Sequence, residues 1–171
     1  MTQNQMIAMV RKLISDEQAT GYTEGGNIEE PEGTQELLNY LDRAVEDYSR
    51  RMMEANNVDI VKTFTLTNGE TLPEDFLGIC GAVPVTITDN KINFYGDETN
   101  ITARYFARLP YVSSFSSDVS LPYKQNHAMS IIALAAIYAL NKHEFNVSQD
   151  LMLLGYGGQN ANSRQQTQRR T

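Results

Sequence analysis

The sequence predicts an α+β protein, mainly helical: a helical bundle with a three-stranded antiparallel β meander inserted in its middle. Three observations lead there. Two segments in the first third repeat apolar residues at helical spacing, residues 83–110 switch to a period of two, and residues 128–140 are apolar nearly all round. With 171 residues, 41% of them apolar, the chain is long enough for one domain with its own core. We read residues 1–158 as that domain and 159–171 as a flexible tail.

The first helix is expected from about residue 3 to 18. Thr2 and Gln5 have capping-box spacing, and Met6, Ile7, Met9, Val10, Leu13 and Ile14 form a narrow apolar stripe. Residues 20–34, "TGYTEGGNIEEPEGT", read as a loop long enough to be functional. A second helix follows from Thr34 as cap to about Glu54, with Leu37, Leu38, Leu41, Ala44, Val45, Tyr48 and Met52 on one side. Arg43 and Asp47 are spaced as an i,i+4 pair on its polar side. It should end near Asn56-Asn57.

Residues 60–66 are β-branched and extended, and Asn68-Gly69 marks a turn. "LPEDFLGI" reads as a short turn or helix start. From Val83 the alternation of Val83, Val85 and Ile87, then Ile92 and Phe94, then Ile101 to Leu109 gives the expected meander over 83–110. Its turns fall at Asp89-Asn90 and "GDETN". On the last strand Thr102, Arg104, Phe106 and Arg108 share one face. A serine-rich loop, 111–122, leads into a buried helix over about 122–143 with Pro122 just inside its start. A short helix, "SQDLMLLG", closes the domain.

The formal net charge is −7, which disfavours sequence-independent duplex binding through a dense basic face. The tail holds three arginines and no acids, so residues 1–158 carry −10. Cys80 is the lone cysteine; it reads as a structural thiol in a reducing compartment rather than a nucleophile. The start has no signal-peptide pattern, and the longest nearly apolar run is shorter than the ~20 residues that cross a bilayer. No membrane contact is expected.

Catalytic chemistry finds little support. His127 and His143 lie roughly 24 Å apart on one predicted helix at 1.5 Å per residue, so they share no metal there; both read as surface or end-of-helix histidines. Glu29, Glu30 and Glu32 read as a solvated loop. "GYGG" at 155–158 follows a helix, where a phosphate cradle needs a strand. No Ser-His-Asp, HExxH or CxxC pattern is present. We expect no enzyme activity, no catalytic or metal site and no cofactor.

The order of parts is more telling than any motif. Two helices precede Leu72, Pro73, Asp75 and Phe76; a strand with Tyr105 and Phe106 runs into Pro110; and the alanine-rich Ala128–Leu140 segment follows. Over about residues 34–156 this resembles the head-to-tail adaptor (connector or head-completion) proteins of tailed bacteriophages. Two features depart from that pattern: "VSSFSSDVSLP" has no apolar helix start, and the tail beyond Gly158 does not align.

The resemblance implies a virion protein made in the host cytoplasm. Such a protein forms a dodecameric ring between portal and tail and extends the DNA channel. Its implied partners are the portal protein, neighbouring copies, a tail or second-ring protein, and DNA passing without specific binding. The copies are expected to stay monomeric until the portal templates them. Arg104, Phe106 and Arg108 are then candidates for contact with a neighbour, and Arg164, Arg169 and Arg170 for contact with the portal. Two alternatives are a DNA-binding packaging protein of the small-terminase kind, which would need a basic recognition helix, and a small metal-dependent hydrolase.

Overall fold

The computed structural model describes residues 1–20 and 33–142. Most of the 20–34 loop, His143, the "SQDLMLLG" and "GYGG" segments and the tail with Arg164, Arg169 and Arg170 lie outside the described residues. Within them the chain is α+β, as expected, with helices α1 (Gln3–Thr20), α2 (Thr34–Glu54) and α3 (Gln125–Lys142). The strands are β1 (Val61–Thr67), β2 (Phe76–Ile79), β3 (Val85–Thr88), β4 (Lys91–Phe94) and β5 (Asn100–Ala107). The described residues fall into two compact units, one holding those of 1–41 and 116–142, the other Asp42–Phe115.

In the first unit α1 packs against α3. The capping box forms as the spacing predicts: Thr2 N–H donates to Gln5 Oε1 at 2.9 Å, and Gln5 N–H donates to Thr2 Oγ1 at 3.3 Å. Met6, Ile7, Val10 and Ile14 are buried. The α1 start is tied to the segment before α3, where Leu121 N–H donates to the Met1 carbonyl at 2.8 Å and Asn4 N–H to the Ser117 carbonyl at 3.2 Å. That anchor, with proline next, keeps Leu121 extended. Helix α3 therefore starts at Gln125, and Pro122 lies outside it. Its residues Ile131, Ile132, Leu134, Ala135 and Ala139 are fully buried.

His127, expected at a surface or a helix end, is in the first turn of α3 but is buried. Thr34, expected as the α2 cap, is already helical. The Gly33 carbonyl accepts the N–H of Glu36 and Leu37, and the Thr34 hydroxyl accepts from Arg11 Nη2 at 3.2 Å.

In the second unit α2 ends in a Schellman motif. Asn56 has φ 52°, Asn56 N–H reaches the Met53 carbonyl, and Asn57 N–H reaches the Met52 carbonyl. Asparagine tolerates this left-handed position better than most residues. The Asn57 side chain then accepts Asp59 N–H at 2.9 Å, turning the chain into β1.

The expected three-stranded meander over 83–110 does not form. β3 and β4 make a two-stranded hairpin, while β5 is the centre of a separate sheet ordered β1-β5-β2, antiparallel throughout. The reason is the long reach of β5. It is the longest strand, and its apolar residues find partners in β1, with Val61 opposite Phe106 and Leu66 opposite Ile101. The hairpin turn sits at Asp89-Asn90, both at positive φ (51° and 59°), as a type I′ turn requires. "LPEDFLGI" resolves into a turn, with Phe76 N–H on the Pro73 carbonyl, and then β2. Residues 68–72 run beside β4 through Gly69 N–H to the Ile92 carbonyl (2.7 Å) and Leu72 N–H to the Asn90 carbonyl (3.0 Å).

Two apolar clusters cover opposite faces of the β1-β5-β2 sheet. One gathers Leu66, Leu72, Ile92 and Ala103, flanked by Phe64, Phe76, Val83, Val85 and Phe94. The other joins Met52 of α2 to Ile60 and Phe106, with Tyr48, Met53, Leu77 and Cys80 around them. Gly78 allows this second packing, because a Cβ there would come within 3.1 Å of Met53 Sδ.

Candidate functional site

The segments that carry the sequence resemblance, 72–76 and 105–110, come together at Asp75. The turn after Pro73 directs the Asp75 carboxylate at β5. Its Oδ1 accepts from the Tyr105 hydroxyl at 3.0 Å, and its Oδ2 pairs with Lys62 Nζ. Its backbone carbonyl accepts Arg108 N–H at 2.6 Å, which extends the β2–β5 ladder beyond the strands themselves. The Tyr105 ring is held between Phe64, edge-on at 4.6 Å, and Phe76, stacked at 5.8 Å and 17°. Burial, and then the hydrogen bond to Asp75 and its charge, push the Tyr105 phenol up to about 12. It therefore stays protonated and donating at neutral pH.

A second node lies where β5 leaves the sheet. Residues 108–113 are bonded to one stripe of α2, formed by Asp42, Glu46 and Ser49. These positions are four and three apart and so share a helix face. Leu109 N–H donates to the fully buried Ser49 Oγ at 3.1 Å. Tyr111 donates its hydroxyl to Glu46 Oε2 at 3.0 Å, and Ser113 N–H donates to Asp42 Oδ1 at 3.1 Å.

The Arg108 guanidinium lies 3.8 Å from the Tyr111 ring centroid. Its Nη1 donates to the Tyr111 hydroxyl at 2.5 Å and reaches Glu46 Oε2 at 3.4 Å. Burial pushes the Glu46 carboxyl up, but hydrogen bonds from Arg50, Tyr111 and Arg108 outweigh it and leave Glu46 below its ordinary value. Tyr111 is raised, by burial first and the bond to Glu46 next, with Arg108 opposing. At neutral pH Glu46 is ionised and both phenols are protonated. The nodes thus act as fixed donors and acceptors, the chemistry of a rigid clamp.

The residues picked out from sequence on the last strand, Arg104 and Phe106 of β5 and Arg108 just beyond it, fare differently. Phe106 is buried against Met52 and Ile60, and Arg108 is held by Glu46 and Tyr111. Both therefore serve the protein's own interior. Strand alternation puts Phe106 on the Arg104 face, but α2 covers only that end of the face. Arg104 is exposed. Together with Thr63, Thr65, Thr67, Asn100 and Thr102 it forms a polar, uncovered stretch of sheet.

The stripe of Asp42, Glu46 and Ser49 was not singled out from sequence. Its signal is a serine at the apolar boundary of an amphipathic helix, three residues after an acid.

No protein-family model, curated protein or solved structure matches this chain.

Proposed function

We propose that this chain is a structural protein of a tailed-phage virion, a connector whose copies form a ring between portal and tail and prolong the DNA channel. One observation carries the reading: the ordered set of Leu72-Pro73-Glu74-Asp75-Phe76, a strand ending in Tyr105-Phe106 and Pro110, and the alanine-rich helix after it. The bonding of the first two segments at Asp75 supports it, because it gives Pro73, Asp75, Phe76 and Tyr105 a shared structural task.

In this reading the ring requires a subunit whose contact surface is held rigidly. The Asp75 and Glu46 nodes supply the rigidity by locking sheet, strand exit and α2 of the second unit together. The exposed threonines and Arg104 offer a polar surface to a neighbouring copy, while Phe106 and Arg108 anchor the adjoining end of the sheet to α2. The acidic composition suits a channel that passes a duplex without gripping it, since like charge disfavours adhesion to phosphates. Arg164, Arg169 and Arg170 suit an acidic portal surface.

The test is the mass in solution by light scattering, alone and mixed with portal protein from the same genome. We expect a monomer at low concentration that joins the portal as a ring. Truncation after Gly158 should leave the melting temperature unchanged and weaken portal binding. A chain that ignores its portal overturns the reading. Portal affinity unchanged by the truncation overturns the role given to the tail arginines.

A further inference from the structure

The outer edge of β1 is closed at both ends and open in the middle. In an antiparallel pair, successive residues alternate between turning both backbone polar groups toward the partner strand and turning both away. Three bonds fix the phase of that alternation here. Val61 N–H goes back to the Val58 carbonyl. Thr67 donates its N–H to Glu70 Oε2 at 2.9 Å and accepts Glu70 N–H at 3.0 Å. Arg104, the residue opposite Thr63, turns its carbonyl to Cys80 N–H of the other neighbour at 2.8 Å. The odd-numbered residues of β1 therefore face away from β5. Val61 N–H and Thr67 are satisfied locally. Thr63 and Thr65 present outward N–H and C=O groups that have no protein partner among the described residues, and both side chains are exposed.

These two residues are symmetric about Phe64. We propose that β1 is a self-pairing edge, on which a second copy of this chain docks antiparallel about a two-fold axis at Phe64. Thr63 then lies opposite Thr65 of the second copy, and Thr65 opposite its Thr63, giving four backbone hydrogen bonds. The two sheets merge in the order β2-β5-β1-β1-β5-β2.

Charge agrees with this register. Lys62 is the one charged residue of β1, and it comes opposite Leu66 of the second copy, so no like charges meet. Half-buried Phe64 meets its counterpart at the close, non-hydrogen-bonded position. β1 contains neither a proline nor a bulge, and the one charge that could guard its edge, Lys62, is turned to Asp75. An opening two residues wide makes a small contact, with a Kd on the order of 0.1–1 mM. This pairing stands apart from the connector reading: a two-fold contact closes on two copies, a ring contact does not, and no portal is involved.

Sedimentation equilibrium of the full chain from ~10 µM to ~1 mM spans that range. We expect dimers to accumulate at the upper end. Thr65→Pro removes an outward N–H and leaves the β5 ladder intact, so it should abolish dimers without lowering the melting temperature. A second variant, Thr63→Cys with Thr65→Cys in a Cys80→Ser chain, changes exposed side chains at the proposed contact. Mild oxidation should trap it as a covalent dimer, because directly opposed residues of a hydrogen-bonded pair lie within disulfide reach. A monomer throughout the range, dimers unaffected by Thr65→Pro, or a double-cysteine chain that stays monomeric on oxidation would each overturn the proposal.

Discussion

Asp75→Ala tests the clamp at its centre. The substitution removes the acceptor of a phenol that is only 5% exposed. A buried donor left without a partner costs about 1–3 kcal/mol. The Lys62 pair is largely exposed and adds at most ~1 kcal/mol. The bond from Arg108 N–H to the Asp75 carbonyl survives, because it uses backbone. The expected loss is thus about 2–3 kcal/mol, near 4–12 °C in melting temperature for a chain of this size.

Tyr105→Phe alone keeps the ring between Phe64 and Phe76 and leaves Asp75 paired with Lys62, so it should cost about 1 kcal/mol. The double variant has no orphaned phenol and should be no less stable than Asp75→Ala. Urea denaturation of all four proteins, followed by tyrosine fluorescence and circular dichroism, closes the cycle. If the single costs simply add in the double variant, the two groups are not coupled and the clamp is not what holds β5.

Two further predictions concern the same unit. Ser49→Ala removes a fully buried acceptor and leaves the Leu109 N–H, in a half-buried residue, without its partner; it should cost about 1–2 kcal/mol, measured by the same denaturation. The alkaline limb of stability should report Tyr105. Its folded value of about 12 lies above the ordinary 10.0, so the neutral phenol's contribution is complete below pH 10 and is lost as pH rises through about 12. Tyr105→Phe should flatten melting temperature against pH over that window; an unchanged slope would show that another group sets it.

Much of the fold was legible because its signals are local. The Thr2–Gln5 box, the α1 and α2 stripes, the helix stop at Asn56-Asn57 and the Asp89-Asn90 turn each depend on residues within one or two turns of chain. The partner of β5 was not legible. A period of two reads the same whether a strand pairs with β4, a few residues before it, or with β1, more than thirty residues before it. Phe106 was misjudged for a related reason. Alternation gives a face, but it does not say that α2 covers half of that face. Pro122 was misplaced because a backbone tie between Leu121 and Met1 sets where α3 begins. At the candidate site, Asp75 and Tyr105 were visible as motif residues. Their bond depends on a turn geometry that no spacing encodes.

The central place of β5 also sets a timetable for the chain's own synthesis. Asn100 follows its partner Thr67 by 33 residues, and Phe106 follows Val61 by 45. At about 5–20 residues per second, β1 waits seconds on the ribosome before any partner strand is made. The β3–β4 hairpin, closed by its own two-residue turn, needs only ~1–10 µs. Residues 68–72 are bonded to that hairpin, so it can hold the end of β1 in place while the rest of the sheet is still being translated. β5 then enters between two strands already made and completes the sheet last.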